Sequence, residues 1–221
     1  MGAVYNFTTK QNDNLDYILK CKEYEDYIIE HKNNVKKSYI DYFVKKDWTD
    51  QLPEEISVEE WNFALSDLEE AIIDHDNSKY SDEEFEPYRR YFHKTVQEQI
   101  YDQEHPEEAE IVDQEFEIAW THHYLLNPHH SEFWLYTDIV DGALVPLDKP
   151  REDGPRDMDL LNIMHMICDW MGMSLKFRGR YSPVSWYNGE GESKRRKMSP
   201  KTRHTLYLIL TMMFPDEEVI E

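Results

Sequence analysis

Apolar residues along this chain recur mostly at spacings of three and four, the period of helices that pack by one face. From Asp13 to Lys46, the positions Leu15, Ile18, Leu19, Tyr24, Tyr27, Ile28 and Ile29 predict a helix, with Asn33-Asn34 as a break or kink. Leu52-Pro53 reads as a loop. Ser57-Val-Glu-Glu60 has the form of a capping box and opens a helix through Trp61, Leu65, Leu68, Ile72 and Ile73, which runs into His75-Asp76. A second such pattern, Ser81-Asp-Glu-Glu84, starts a segment carrying Phe85, Tyr88, Tyr91 and Phe92. The acidic stretch from Tyr101 to Gln114 is read as solvated. Pro106 suits the first position of a helix continuing to Leu126, and Asn127-Pro128 interrupts it, because the residue before proline avoids the α region.

His129 to Asp138 is expected to resume as helix, and residues 141–157, with two Gly and three Pro, as loop. Met158 to Lys176 is apolar on nearly every side, which predicts a central buried helix. Arg178 to Lys197 reads as irregular, and Ser199-Pro200 opens a last helix through Leu206, Leu208, Ile209, Leu210 and Met213. No repeat stands out and strand-like alternation is almost absent. The expectation is an all-α single domain over residues 1–221, a bundle of about six or seven helices.

Composition narrows the function classes. In 221 residues, 24 Lys and Arg face 46 Asp and Glu, a formal net charge of −22. Such a chain repels phosphate backbones and anionic lipid at long range, so nucleic-acid wrapping and polybasic membrane docking are excluded as main functions. Aromatics at 14% suffice for a core, so the charge does not signal disorder. Cys21 and Cys168 are the only cysteines, too few for a disulfide scaffold or a four-cysteine zinc site. No apolar run approaches a membrane span. The N-terminus lacks signal-peptide features and has Asn6 where myristoylation wants Ser or Thr, so the default expectation is a cytoplasmic protein.

The chemistry concentrates in histidines. Four of the ten, His122, His123, His129 and His130, fall in nine residues. His75-Asp76 ends an amphipathic helix, and Asp169 sits in the greasiest helix among Met166, Ile167, Trp170 and Met173. A buried aspartate is costly unless paired or bound to a cation. Imidazole nitrogens with carboxylate oxygens suit Mn, Fe, Co, Ni or Zn, and an adjacent His-Asp pair can serve two neighbouring ions with the carboxylate as bridge.

The order His31, His75-Asp76-Asn77-Ser78-Lys79, His123, His129-His130, Asp169 resembles the HD superfamily of helical, metal-dependent proteins, mostly phosphohydrolases, in its extended form H…HDxxK…H…HH…D. The stretches 75–92, 119–134 and 166–177 resemble a bacterial and phage branch of that superfamily with no settled activity, over about residues 15 to 210. The resemblance implies that His31, His75, Asp76 and Asp169 hold a first metal and that Asp76 bridges to a second, whose other ligands are His123, His129 and His130. Asp76 and Lys79 would carry the chemistry, with the Lys79 ammonium on a phosphate oxygen. Either member of His122-His123 can be the ligand. His123 is preferred, leaving His122 for substrate or a contact behind the ligands. Glu132 and His165 are candidates to orient ligand histidines. The glycine-tyrosine-proline signature of cyclic dinucleotide hydrolases is absent after His130.

The implied function is a phosphohydrolase or phosphodiesterase with two divalent transition-metal ions, acting through a metal-activated water on a small phosphorylated substrate such as a nucleotide. The alternatives are an HD-type di-iron oxygenase and a non-catalytic, metal-stabilised nucleotide-binding or regulatory protein. Arg89 and Arg90 can grip phosphate or pair with the acids around them. Lys194 to Lys197, with Lys201 and Arg203, can cover a nucleotide's phosphates or form a solvated loop.

Overall fold

The structure, a computed structural model, describes residues 2–189 and 197–220. Lys194, Arg195 and Arg196 of the basic run lie outside the described residues. Among those described, the fold is all-α apart from one small hairpin, with nine α-helices. They are α1 (Gly2–Tyr39), α2 (Val58–Asp74), α3 (Phe85–Phe92), α4 (Val96–Glu104), α5 (Pro106–Leu126), α6 (Ser131–Leu135), α7 (Leu160–Arg178), α8 (Pro183–Gly189) and α9 (Pro200–Met213). None is long and apolar enough to cross a membrane. The chain divides into two compact units. One takes the residues up to Glu30 with Asn77–His123, and the other takes His31–Asp76 with the residues from Tyr124 onward.

The first unit has a small aromatic core in which Tyr24, Ile28, Tyr88 and Ala119 are buried. Tyr24 meets Phe85 with ring centroids 5.1 Å apart, and Tyr88 meets Phe116 edge-on at 5.2 Å. A capping box of the Thr-x-x-Glu form at Thr95, not among those expected from the sequence, starts α4. Glu98 N–H donates to Thr95 Oγ1 at 3.1 Å, and Thr95 N–H donates to Glu98 Oε2 at 2.7 Å. The box expected at Ser81 does not form. Glu84 is the N-cap of α3 without a side-chain cap, and its carboxylate is engaged elsewhere.

The second unit is built around α7, as its all-round apolarity predicts. Ile163, Met164, Ile167 and Met171 of α7 share one core with Trp61, Leu68 and Ile72 of α2 and with Leu206, Ile209 and Leu210 of α9. Ser57 caps α2 in the reciprocal box, Asp159 caps α7, and Ser199 caps α9 with Pro200 following. α1 does not break at Asn33-Asn34. A low helix propensity costs less than about 1 kcal/mol per residue, and the helix here buries His31, Val35, Ser38 and Tyr39. It ends instead in a π-helical turn, Ile40–Val44.

Gly172 explains how closely α1 and α7 approach. A Cβ there would stand 2.7 Å from Val35 Cγ2 and 2.9 Å from Val35 N, so only glycine fits.

Two segments depart from expectation. The helix after Asn127-Pro128 covers only Ser131–Leu135. It gives way to an antiparallel hairpin of β1 (Thr137–Val140) and β2 (Ala143–Pro146), with Val140 opposite Ala143. Its two turn residues, Asp141 and Gly142, have φ of 51° and 81°. Positive φ at both central positions is the type I′ geometry that Asp-Gly favours and that matches strand twist. The stretch read as irregular after Arg178 also contains α8.

Candidate metal centre

Four side chains of the second unit converge from three elements. α1 presents His31 one turn before Val35, on its buried side. α2 stops at Asp74, and His75 leaves it with φ −46° and ψ 124°. The Lys32 ammonium binds the exposed carbonyl end of this helix, 2.7 Å from His75 O and 3.5 Å from Ile73 O. Asp76 then takes φ +55°, a left-handed conformation that is uncommon outside glycine and is tolerated best by Asn and Asp. The fourth residue, Asp169, projects from the middle of α7, three residues before the Gly172 contact.

The donor atoms lie close together. His31 Nε2 is 2.9 Å from His75 Nε2, 3.1 Å from Asp169 Oδ1 and 3.6 Å from Asp76 Oδ2. His75 Nε2 is 3.4 Å from Asp76 Oδ2 and 3.8 Å from Asp169 Oδ1. Ligand atoms about 2.1 Å from a shared ion stand about 3.0 Å apart at right angles and about 3.4 Å apart at tetrahedral positions. The observed spacings bracket those edges, so this set has the composition and spacing to hold a metal ion. His31, His75 and Asp76 offer three such atoms within 4.8 Å of one another, all buried.

Asp76 also reaches the other way, its Oδ1 lying 3.6 Å from His129 Nε2. The chain passes Asn127-Pro128 and turns, His130 N–H donating to Asn127 O at 3.0 Å, which brings the His129 and His130 rings to a centroid distance of 4.3 Å. His165, one turn before Asp169 on α7, completes the cluster. Its Nε2 is 2.9 Å from His75 Nδ1, and its ring lies 4.2 Å from that of His129. His75, His129 and His165 therefore form a second grouping of possible ligand nitrogens.

Burial pushes His75 and His165 well below the usual imidazole range, more than the neighbouring carboxylates raise them, so both rings are neutral near pH 7. Burial acts the opposite way on Asp169 and would raise it. The hydrogen bond with His31 and the histidine field outweigh that and hold its carboxyl well below the usual carboxylate range. Neutral rings and an ionised aspartate are the protonation states in which these groups bind metal.

His165, a candidate to orient a ligand histidine, stands within hydrogen-bond reach of His75. If His75 ligates through Nε2, its Nδ1–H donates to His165 Nε2, which fixes both tautomers. No such partner supports His31, whose Nδ1 is buried with no hydrogen-bond partner among the described residues. Glu132 does not take up its expected role either. Its Oε1 accepts from the Lys197 ammonium at 2.9 Å and its Oε2 from Ser131 Oγ at 3.0 Å. Lys197, at the end of the basic run, is thereby tied to an internal acid.

The remaining sequence candidates belong to the first unit. Lys79 lies on a 3-10 turn, Asn77–Tyr80, with its ammonium 6.0 Å from the Tyr88 ring centroid. Helical spacing from Asp76 to Lys79 does not apply, because α2 has already ended. Arg89 is fully buried and saturated by acids, with Nη1 2.6 Å and Nη2 2.7 Å from the Glu98 carboxylate and two further bonds to Glu86. Its expected role in gripping substrate gives way to ion pairing, because a guanidinium enclosed in this way has no face left for a phosphate.

His122 and His123 share one acid that the sequence does not single out for chemistry. Glu84 Oε1 is 2.8 Å from His122 Nδ1, and Glu84 Oε2 is 2.8 Å from His123 Nδ1. Burial alone would raise the Glu84 carboxyl, yet the bonds to His123, His122 and Ser78 hold it below its ordinary value. Only the Ser-x-x-Glu spacing marks this residue in the sequence, and that pattern points to a helix cap.

No curated protein and no solved structure matches the chain. Residues 20–212 match a family described as a family of unknown function, DUF5662; that span contains every donor of the cluster, and the chain belongs to this family.

Proposed function

We propose that this protein is a metal-dependent phosphohydrolase of the HD type, acting on a small phosphate ester such as a nucleotide. The observation that carries the reading is the convergence of His31 Nε2, His75 Nε2, Asp76 Oδ2 and Asp169 Oδ1 at 2.9–3.8 Å in the H…HD…D order. These four would hold one divalent ion. Asp76, through its second oxygen, would share a neighbouring ion with His129 and His130. When bound, such ions supply a water acidic enough to act as hydroxide near neutral pH and balance the charge of a phosphoryl group.

The chain's own part is positional. His165 keeps His75 in the tautomer whose Nε2 has a lone pair. Gly172 lets α1 and α7 close so that His31 meets Asp169. The left-handed backbone at Asp76 turns its two oxygens toward different histidines, Oδ2 toward His31 and His75 and Oδ1 toward His129. By the HDxxK resemblance alone, Lys79 would contact a phosphate oxygen and His123 would be a ligand. The net charge of −22 does not oppose an anionic substrate, since bound ions and a lysine set the local field.

The test is elemental analysis of the purified protein, then a panel of nucleotides and simple phosphate esters assayed with Mn, Fe, Co, Ni and Zn. About two ions per chain, with phosphate release, is the expected result. Asp169→Asn should lower metal content without loss of helicity by circular dichroism. A chain that takes up no metal, native or reconstituted, overturns the proposal. Tightly held iron with oxygen-dependent loss of substrate replaces it with the oxygenase alternative.

A further inference from the structure

The structure assigns Glu84 as a positioning residue that sets the tautomers of His122 and His123. A carboxylate only accepts hydrogen bonds, so each imidazole nitrogen facing it at 2.8 Å must be a donor. Both rings are therefore Nδ1–H, and in their neutral form each has its lone pair on Nε2. The Ser78 hydroxyl, 3.2 Å from His123 Nδ1, is a third donor to the same acid. Glu84 and the His123 side chain are fully buried, while the His122 side chain is about one-third exposed. The two histidines thus have different surroundings but one orienting group.

An acid enclosed by three donors is arranged like the carboxylates that stand behind ligand histidines, where they fix the ring and raise its basicity. Its placement also explains why Glu84 does not close the capping box with Ser81. That alternative would contribute about 1 kcal/mol to α3 but would leave two rings unoriented. The inference deepens the proposed function and rests on its reading of His123 as a metal ligand: Glu84 makes Nε2 the ligating nitrogen of His123, and it gives His122 an Nε2 able to accept from a substrate or water. Glu84 touches neither substrate nor metal in this role.

The experiment has two independent arms. In the metal-free protein above pH 8, long-range proton–nitrogen correlation spectra report the tautomer of each neutral histidine. Wild type is expected to show Nδ1–H at both His122 and His123. Glu84→Gln replaces one acceptor with an amide NH2, which must face one of the rings, so at least one histidine should switch to Nε2–H. In the second arm, metal uptake is measured by elemental analysis and by titration with Mn or Zn. Glu84→Gln should bind one class of ion roughly 10–100-fold more weakly, the usual cost of losing a group behind a ligand, while Glu84→Asp should bind with an intermediate affinity.

Nε2–H at either ring in wild type overturns the inference, and that measurement needs no variant to fold. Unchanged tautomers in Glu84→Gln, or unchanged metal affinity, overturn it as well. A wild-type chain with the expected tautomers that takes up no metal overturns the hydrolase reading and the ligand role of His123 with it, so the two failures are told apart.

Discussion

Asp76 faces His31 and His75 with one oxygen and His129 with the other, and does so in a conformation that disfavours it. A non-glycine residue in the left-handed region costs about 1 kcal/mol or more, and such strain persists where function requires it. Glycine would relieve the strain and lose the carboxylate. Asp76→Gly is therefore expected to melt within a few degrees of wild type without metal, since relief of strain offsets the entropy that glycine adds to the unfolded chain. An ion at 100 times its Kd stabilises the fold that binds it by about 2.7 kcal/mol, and this gain should vanish in the variant. Scanning calorimetry with and without added Mn measures both, and an undiminished metal-induced rise in Tm would show that Asp76 is not a ligand. Lys79 tests the chemistry rather than the metal. With metal content and Tm near wild type, Lys79→Ala should lower turnover by roughly 10²-fold, the scale for losing a group that stabilises transition-state charge. A near-wild-type kcat/KM would refute the phosphate contact. Arg89 shows the limit of reading a residue by type. Near an HDxxK motif an arginine invites a phosphate, yet two carboxylates within its own unit already occupy its donors.

At the scale of elements, helix ends are the legible part. Ser57, Ser199-Pro200, Pro106 and Asn127-Pro128 all bound helices where the sequence places them, because each signal acts within one turn of the chain. The Asp-Gly turn at 141–142 carries an equally local signal for a hairpin, but it sits among prolines, whose weight makes the whole segment read as loop. Helix-to-helix approach is a different matter. Nothing local distinguishes Gly172 from a glycine tolerated inside an apolar helix, and its meaning comes from Val35. Gly172→Ala is expected to destabilise by about 1–3 kcal/mol, the range for overpacking a filled core, and to weaken metal uptake by moving His31 from Asp169. Chemical denaturation of the single variant and of Gly172→Ala with Val35→Ala checks this. The second change removes the 2.7 Å clash but leaves the backbone contact at 2.9 Å, so recovery should be partial. A single variant as stable as wild type would mean that the two helices do not pack this tightly.

Across the whole molecule, acidity shapes stability in two opposed ways. The net charge of −22 repels itself, so mild acid should stabilise the fold slightly as surface carboxylates lose charge. The buried pair in the first unit acts the other way. Burial would raise the Glu98 carboxyl, but hydrogen bonds from Arg89 and from Thr95 N–H bring it down to about 2. A carboxylate depressed in the folded state contributes stability that is complete above its unfolded value of 4.5 and is lost as pH falls toward 2. Stability should therefore peak at about pH 5–6 and fall steeply below about 4.5. Glu98→Gln should be less stable at pH 7 and should lose less on acidification. Urea midpoints at pH 7, 5, 4 and 3 measure this, and parallel curves for variant and wild type would remove Glu98 from the account.

The sequence alone determined the helical class, most helix boundaries, the central place of α7 and the unusual position of an aspartate within it. These follow from periodicity and capping, which relate residues no more than a turn or two apart. It also held the H…HD…D order, though order does not establish that side chains meet. Tertiary structure decided that His31, His75, Asp76 and Asp169 do, through the tight approach at Gly172 and the left-handed turn at Asp76. It likewise tied Arg89 to Glu98 and Glu86, and Glu84 to two histidines. The physical reason is the same in each case. A buried polar group must find its partner within about 3 Å, and which groups come that close depends on how helices distant in sequence pack, a relation that the period of any one helix does not encode.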